Sequence, residues 1–143
     1  MLKGCAIINE NDVAFMPVEL PFASAGFPKP SDDYLQKELD LNGLVFQNKV
    51  CIQPFMVEGD SMLPLLNDGD IITVDRSLTP KHGDLVVADL DDGRVVKRYA
   101  LEGGRVILRS DNSSYKPIAV NEFEHFAIVG VVTYSLRSFL KTS

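Results

Sequence analysis

Leu85-Val86-Val87-Ala88-Asp89-Leu90, followed by Asp91-Asp92-Gly93 and then Arg94-Val95-Val96-Lys97-Arg98-Tyr99-Ala100-Leu101, decides the fold of this chain. Both apolar runs are rich in valine, whose branched side chain suits a pleated strand better than a helix. The Asp-Gly step between them supplies the backbone freedom of a tight hairpin turn. Glu102-Gly103-Gly104 repeats that signal and leads into Arg105-Val106-Ile107-Leu108-Arg109, so three successive antiparallel strands are predicted. Outward from this meander, Ile71-Ile72-Thr73-Val74 reads as a further strand, and Phe126 to Tyr134 as a long apolar one in the core. Val50 to Val57 is also strand-like, but Pro54 cannot donate to a ladder and assigns it to an edge or a bulge. The expectation is a mainly β, compact domain of several antiparallel sheets.

Composition agrees. The 143 residues suit one domain with a proper core, and 45% hydrophobic with 24% charged residues is globular composition. No apolar run approaches a membrane-spanning length, and the one at the N-terminus is too short for a secretory signal. A formal net charge of −6 argues against direct nucleic-acid binding, because phosphates call for basic patches. Cys5 and Cys51 have no CxxC spacing and no histidine nearby, so no metal site, redox motif or cofactor is expected. The acidic Asp68, Asp70 and Asp75 lack calcium-loop spacing and read as turn chemistry. The expected compartment is the cytoplasm. Residues 1–30 read as an extended arm, since Pro17, Pro21, Pro28 and Pro30 forbid a regular helix, and residues 31–143 as the domain. Asp32 to Leu41 reads as a short helix with Ser31 as N-cap, Tyr34, Leu35 and Leu39 facing inward and Gly43 ending it. A turn that packs the arm is the alternative.

The stretch that carries chemistry is Val57-Glu58-Gly59-Asp60-Ser61-Met62-Leu63-Pro64. A strand stops at Gly59, where the missing Cβ lets another backbone approach, and a short apolar segment of helical character follows through Leu66. Ser61 sits where backbone N–H groups converge, a geometry that suits a nucleophile beside an oxyanion site. A polar turn after an edge strand is the plainer reading. A serine nucleophile needs a base. His82 lies in an exposed turn and His125 follows an acidic segment, so neither stands in a catalytic context. Lys97 is different, because it shares one face of a strand with Val95, Tyr99 and Leu101. On such a face a lysine either snorkels to water or is desolvated for a purpose. Arg98 points the other way and stays charged.

Gly59-Asp60-Ser61-Met62 with Pro64, the Asp68-Gly69-Asp70 and His82-Gly83-Asp84 turns before apolar strands, and Val96-Lys97-Arg98 together resemble the LexA-type self-cleaving serine peptidases. The resemblance runs from about Ala23 to Arg137. It implies a shallow cleft in which Ser61 is the nucleophile and Lys97 the general base, with Gly59, Asp60 and Met62 as oxyanion and backbone support. The bond cut would be Ala25-Gly26, within Ser24-Ala25-Gly26-Phe27-Pro28. Val95, Tyr99 and the docked arm, with Phe22 and Phe27, would desolvate the lysine. The resemblance further implies a homodimer and a role in the SOS response to DNA damage. Cutting would be promoted by a RecA–single-stranded DNA filament, and the processed form would act with a Y-family translesion polymerase. The repressors of the family carry a DNA-binding domain ahead of the cut, and no segment here has the amphipathic pattern for one. A non-enzymatic accessory or dimerisation module with a vestigial dyad is the rival reading. Type I signal peptidases share a Gly-x-Ser-Met-x-Pro box but need a membrane anchor.

Overall fold

The computed structural model describes residues 17–28, 35–47 and 50–140. Its elements in chain order are β1 (Pro17–Leu20), β2 (Leu35–Asp40), α1 (Leu41–Val45), β3 (Ile52–Met56) and β4 (Ile71–Asp75). Then come β5 (Leu85–Leu90), β6 (Gly93–Glu102), β7 (Arg105–Arg109), β8 (Ile118–Ala119) and β9 (Phe126–Leu136). β3 to β9 form one seven-stranded antiparallel sheet in the order β3-β4-β9-β5-β6-β7-β8, and β1 and β2 form a separate two-stranded ribbon.

The central meander is as expected. β5 pairs β6 from Leu85↔Arg98 to Leu90↔Gly93, and β6 pairs β7 from Arg98↔Arg109 to Glu102↔Arg105. Gly103 and Gly104 carry φ of +58° and +77°, the left-handed pair whose twist matches a two-residue hairpin loop. Pro54 sits on β3, which is an edge of the sheet. The long C-terminal run is β9, held between β4 and β5.

β9 is not a regular strand. Thr73 faces Tyr134 but Val74 faces Val132, so Thr133 is an extra residue against β4. Val87 faces Gly130 but Ala88 faces Ile128, so Val129 is an extra residue against β5. Each bulge bends the strand and sharpens its twist, and two packed clusters line the sheet. Val57, Met62, Leu66, Ile72, Val74 and Val87 make one, and Val86, Ala88, Leu108 and Val131 the other. The neighbours Val86 and Val87 feed opposite faces, as period-two alternation requires.

The helix expected from Asp32 to Leu41 is corrected. Leu35 to Asp40 is strand β2, which pairs β1 from Leu20↔Leu35 to Pro17↔Asp40. A six-residue segment has weak intrinsic helicity, and a partner strand offers each of its backbone groups a bond. The helix begins where the predicted one ends. Asp40 caps α1 by accepting a 3.1 Å bond from the Asn42 N–H, and Gly43 lies inside α1 instead of ending it. Ser31 to Tyr34 and residues 1–16 lie outside the described residues. β1 belongs to the expected arm and β2 to the expected domain, so a strand ladder crosses that boundary. Between them, Pro21 to Pro28 is solvent-exposed throughout.

Candidate active site

β3 delivers the chain to Val57, where a second turn grips it. Val57 N–H donates to Asp70 O at 2.8 Å and Gly69 N–H to Val57 O at 2.7 Å. Gly59 N–H donates to Asp68 Oδ1 at 2.8 Å, so that donor is already taken. The expected close approach of a backbone at Gly59 is not found: nothing lies within 4 Å of where its Cβ would be. Glycine is needed there for its φ of +87°. After Ser61, the apolar segment is a single turn closed by Leu66 N–H to Met62 O at 2.9 Å, not a helix. Pro64 has no N–H with which to extend a ladder. Met62 and Leu66 are buried in the first core cluster and anchor the turn, which leaves Ser61 at the surface of the cleft.

Asp70 holds this region to the C-terminal end of the sheet. It is 2% exposed, and Arg137 grips both its carboxylate oxygens, Nε to Oδ1 at 2.8 Å and Nη2 to Oδ2 at 2.7 Å. Arg137 also donates to Leu65 O at 3.1 Å, and the Asn67 N–H donates to Asp70 Oδ2 at 2.8 Å. The Arg137 hydrogen bonds hold the Asp70 carboxyl below its ordinary 3.8, against the opposing effect of burial. A depressed carboxylate pKa contributes stability that is complete above the unfolded value and lost as pH falls through the folded one. Asp70→Asn is therefore expected to cost about 2 kcal/mol near pH 7. That gap to the wild type should narrow as pH falls through the depressed Asp70 pKa, as followed by denaturant titrations across the acid range.

Lys97 and Ser61 meet. β6 carries Lys97 into the interior at 7% exposure, and its Nζ lies 2.8 Å from Ser61 Oγ. Burial pushes the Lys97 ammonium below its ordinary 10.5. A second hydroxyl, Ser110 Oγ, accepts from Nζ at 2.9 Å, and the Tyr115 ring lies 5.5 Å from Nζ. Phe22 and Phe27 are 72% and 91% exposed, so the sheet desolvates the lysine without the docked arm. Arg98 points away from Ser61, with Nε and Nη2 on the Asp111 carboxylate at 3.0 and 2.7 Å and Nη1 on Gly83 O at 2.9 Å. His82 accepts the Leu101 N–H through Nδ1, and the His125 N–H is bound to Asp91. Neither imidazole has a bond to Ser61.

A cleft of about 250 Å³ opens beside the pair. Phe55, Val57, Ile72, Val87 and Val96 give it an apolar floor, with Ser61 and Lys97 at its edge. No residue from 17–28 lines it. Ala25 and Gly26 stand in solvent instead, in a turn where Ser24 Oγ donates to Phe27 O and accepts from the Gly26 N–H at 3.3 Å. Among the described residues, no group of acidic, histidine or cysteine side chains could hold a metal ion.

Comparisons with known proteins identify the family. The family described as Peptidase S24-like matches residues 18–133. Protein MucA of Escherichia coli is 37% identical over 85% of this chain and 84% of its own length. Protein SamA of Salmonella typhimurium strain LT2 is 35% identical over 80% of this chain and 81% of its own. A LexA repressor from Glaesserella parasuis is 28% identical over 95% of this chain and 67% of its own. No helix of the described residues is long and apolar enough to cross a membrane. The chain belongs to the peptidase S24-like family of LexA-type self-cleaving serine peptidases, with UmuD-like proteins among its relatives.

Proposed function

We propose that this chain cuts its own Ala25-Gly26 bond, with Ser61 as nucleophile and Lys97 as general base. The observation that carries the reading is a buried lysine amine 2.8 Å from a serine oxygen, with no histidine bonded to that serine. In its neutral form Nζ donates to Ser110 Oγ and accepts the Ser61 proton as Oγ attacks the Ala25 carbonyl carbon. The tetrahedral oxyanion is held by backbone N–H groups of the turn around Asp60 and Met62. The ammonium then gives its proton to the Gly26 nitrogen as the C–N bond breaks, which leaves an ester between Ala25 and Ser61. Water, deprotonated by the same amine, hydrolyses that ester. The exposed 24–27 turn has to open and enter a cleft before any of this begins.

Residues 1–25, most of the arm, are thereby removed from the rest of the chain. We further assign the processed form to the SOS response, acting in the cytoplasm as a homodimer with a Y-family translesion polymerase. A RecA–single-stranded DNA filament is the assigned activator. Leu136, Phe139 and Leu140, exposed at and beyond the end of β9, offer the apolar surface for a dimer.

Incubating the purified chain at raised pH should yield a fragment beginning at Gly26, identified by mass, and Ser61→Ala should remain intact. Gly26→Glu should block the cut by filling the space beside the scissile carbonyl. A chain that stays whole at every pH, with or without the filament, would favour the non-enzymatic accessory module.

A further inference from the structure

Asn112 lies in the loop between β7 and β8, and it holds the peptide on each side of the nucleophile. Its side-chain Nδ2 donates to Asp60 O at 3.0 Å, and its backbone N–H donates to Ser61 O at 3.0 Å. A peptide unit is planar and trans, so its C=O and N–H point in opposite directions. Fixing Asp60 O therefore fixes the Ser61 N–H, and fixing Ser61 O fixes the Met62 N–H. Both are aimed away from Asn112. Among the described residues neither N–H has an intramolecular acceptor, whereas the Gly59 N–H is committed to Asp68.

The loop itself is held firmly. Arg98 clamps Asp111, the Ser114 N–H donates to Asn112 Oδ1 at 3.0 Å and the Tyr115 N–H to Asn112 O at 3.1 Å. Tyr115 Oη donates to Asp60 Oδ1, which adds a second grip on the residue before the nucleophile. We infer that Asn112 is a positioning residue that aims the Ser61 and Met62 amides as the oxyanion donors of the cleavage reaction. The inference rests on the self-cleavage reading. Donors aimed beforehand stabilise the developing charge without reorganising, and loss of one such donor typically costs about 10²–10³ in rate.

The test is Asn112→Ser in the full chain. Serine keeps a neutral acceptor for the Ser114 N–H and the backbone donor to Ser61 O, but its side chain cannot reach Asp60 O. The pH–rate profile of self-cleavage should keep its inflection, because Lys97 is untouched, while its plateau falls about 10- to 100-fold. A general loss of structure would instead lower the thermal midpoint. Independently of cutting, amide exchange in a Ser61→Ala background reads the Leu63 N–H, which bonds Asp60 O at 3.2 Å. It should quicken at least about fivefold when Asn112→Ser is added. A plateau within twofold of the wild type, or a shifted inflection, overturns the inference. If the wild type does not cut, the self-cleavage reading fails by itself. Exchange then decides the brace: unchanged exchange at Leu63 overturns it, and faster exchange upholds it.

Discussion

Lys97→Ala and Lys97→Arg are each expected to lower self-cleavage by about a thousandfold or more, as is Ser61→Ala, because nucleophile and base act as one unit. The arginine variant is the more telling. Its guanidinium remains charged throughout the accessible pH range and has no lone pair for the Ser61 proton. An exposed lysine near 10.4 would be neutral in fewer than about one molecule in a thousand at pH 7. Burial against the sheet lowers that barrier here, and it does so while the arm is in solvent. Docking of the arm is thus left to control the supply of substrate. The rate should climb about tenfold per pH unit up to an inflection below 10.5 and then level off. Ser110→Ala should move that inflection to lower pH, since the ammonium loses an acceptor. A small primary amine added to Lys97→Ala should restore part of the rate. A flat profile from about pH 6 to 10, or an active arginine variant, would rule out the neutral-lysine mechanism.

The residues that meet at the cleft were legible to different degrees, for physical reasons. Hairpin turns with Asp-Gly and Gly-Gly steps are local signals, and they fixed the register that carries Lys97 inward. The same register also held Ser110. With Glu102 opposite Arg105 and Arg98 opposite Arg109, the next residues along, Lys97 and Ser110, face each other. That step was open to sequence reasoning and was missed, since Ser110 looks like the first residue of a polar loop. Asn112 was not legible. Its role depends on a loop meeting a turn 52 positions away, and nothing local signals it. β2 was misread because its strand character comes from β1 and not from its own residues. The two bulges in β9 lie within a run that reads at first as one continuous strand. One residue in that run did announce them: an isolated glycine inside a strand marks a bulge or a close backbone approach.

That residue, Gly130, is expected to be among the least replaceable positions of the sheet. It lies where β9 passes between β4 and β5, one position from the extra residue Val129. A Cβ built on it falls 2.6 Å from Asp75 O and 2.7 Å from Val74 Cγ1. The first of these is a backbone carbonyl within a ladder, which cannot rotate aside as a side chain would. The case is the reverse of Gly59, where conformation and not space demands glycine. Gly130→Ala must therefore push β9 from β4 or break the Asp75↔Val131 pairing. Overpacking of this kind costs about 3 kcal/mol, a large share of the 5–15 kcal/mol that holds a domain together. The thermal midpoint should fall by about 10 °C. Gly130→Val should be worse and fail to accumulate as folded protein. The cut should suffer as well, because β4 and β5 supply Ile72 and Val87 to the floor of the cleft. Gly59→Ala, which meets no atom, should cost less in stability through backbone strain alone. If Gly130→Ala melted within about 2 °C of the wild type, β9 would have to be straighter at its bulges than this packing allows.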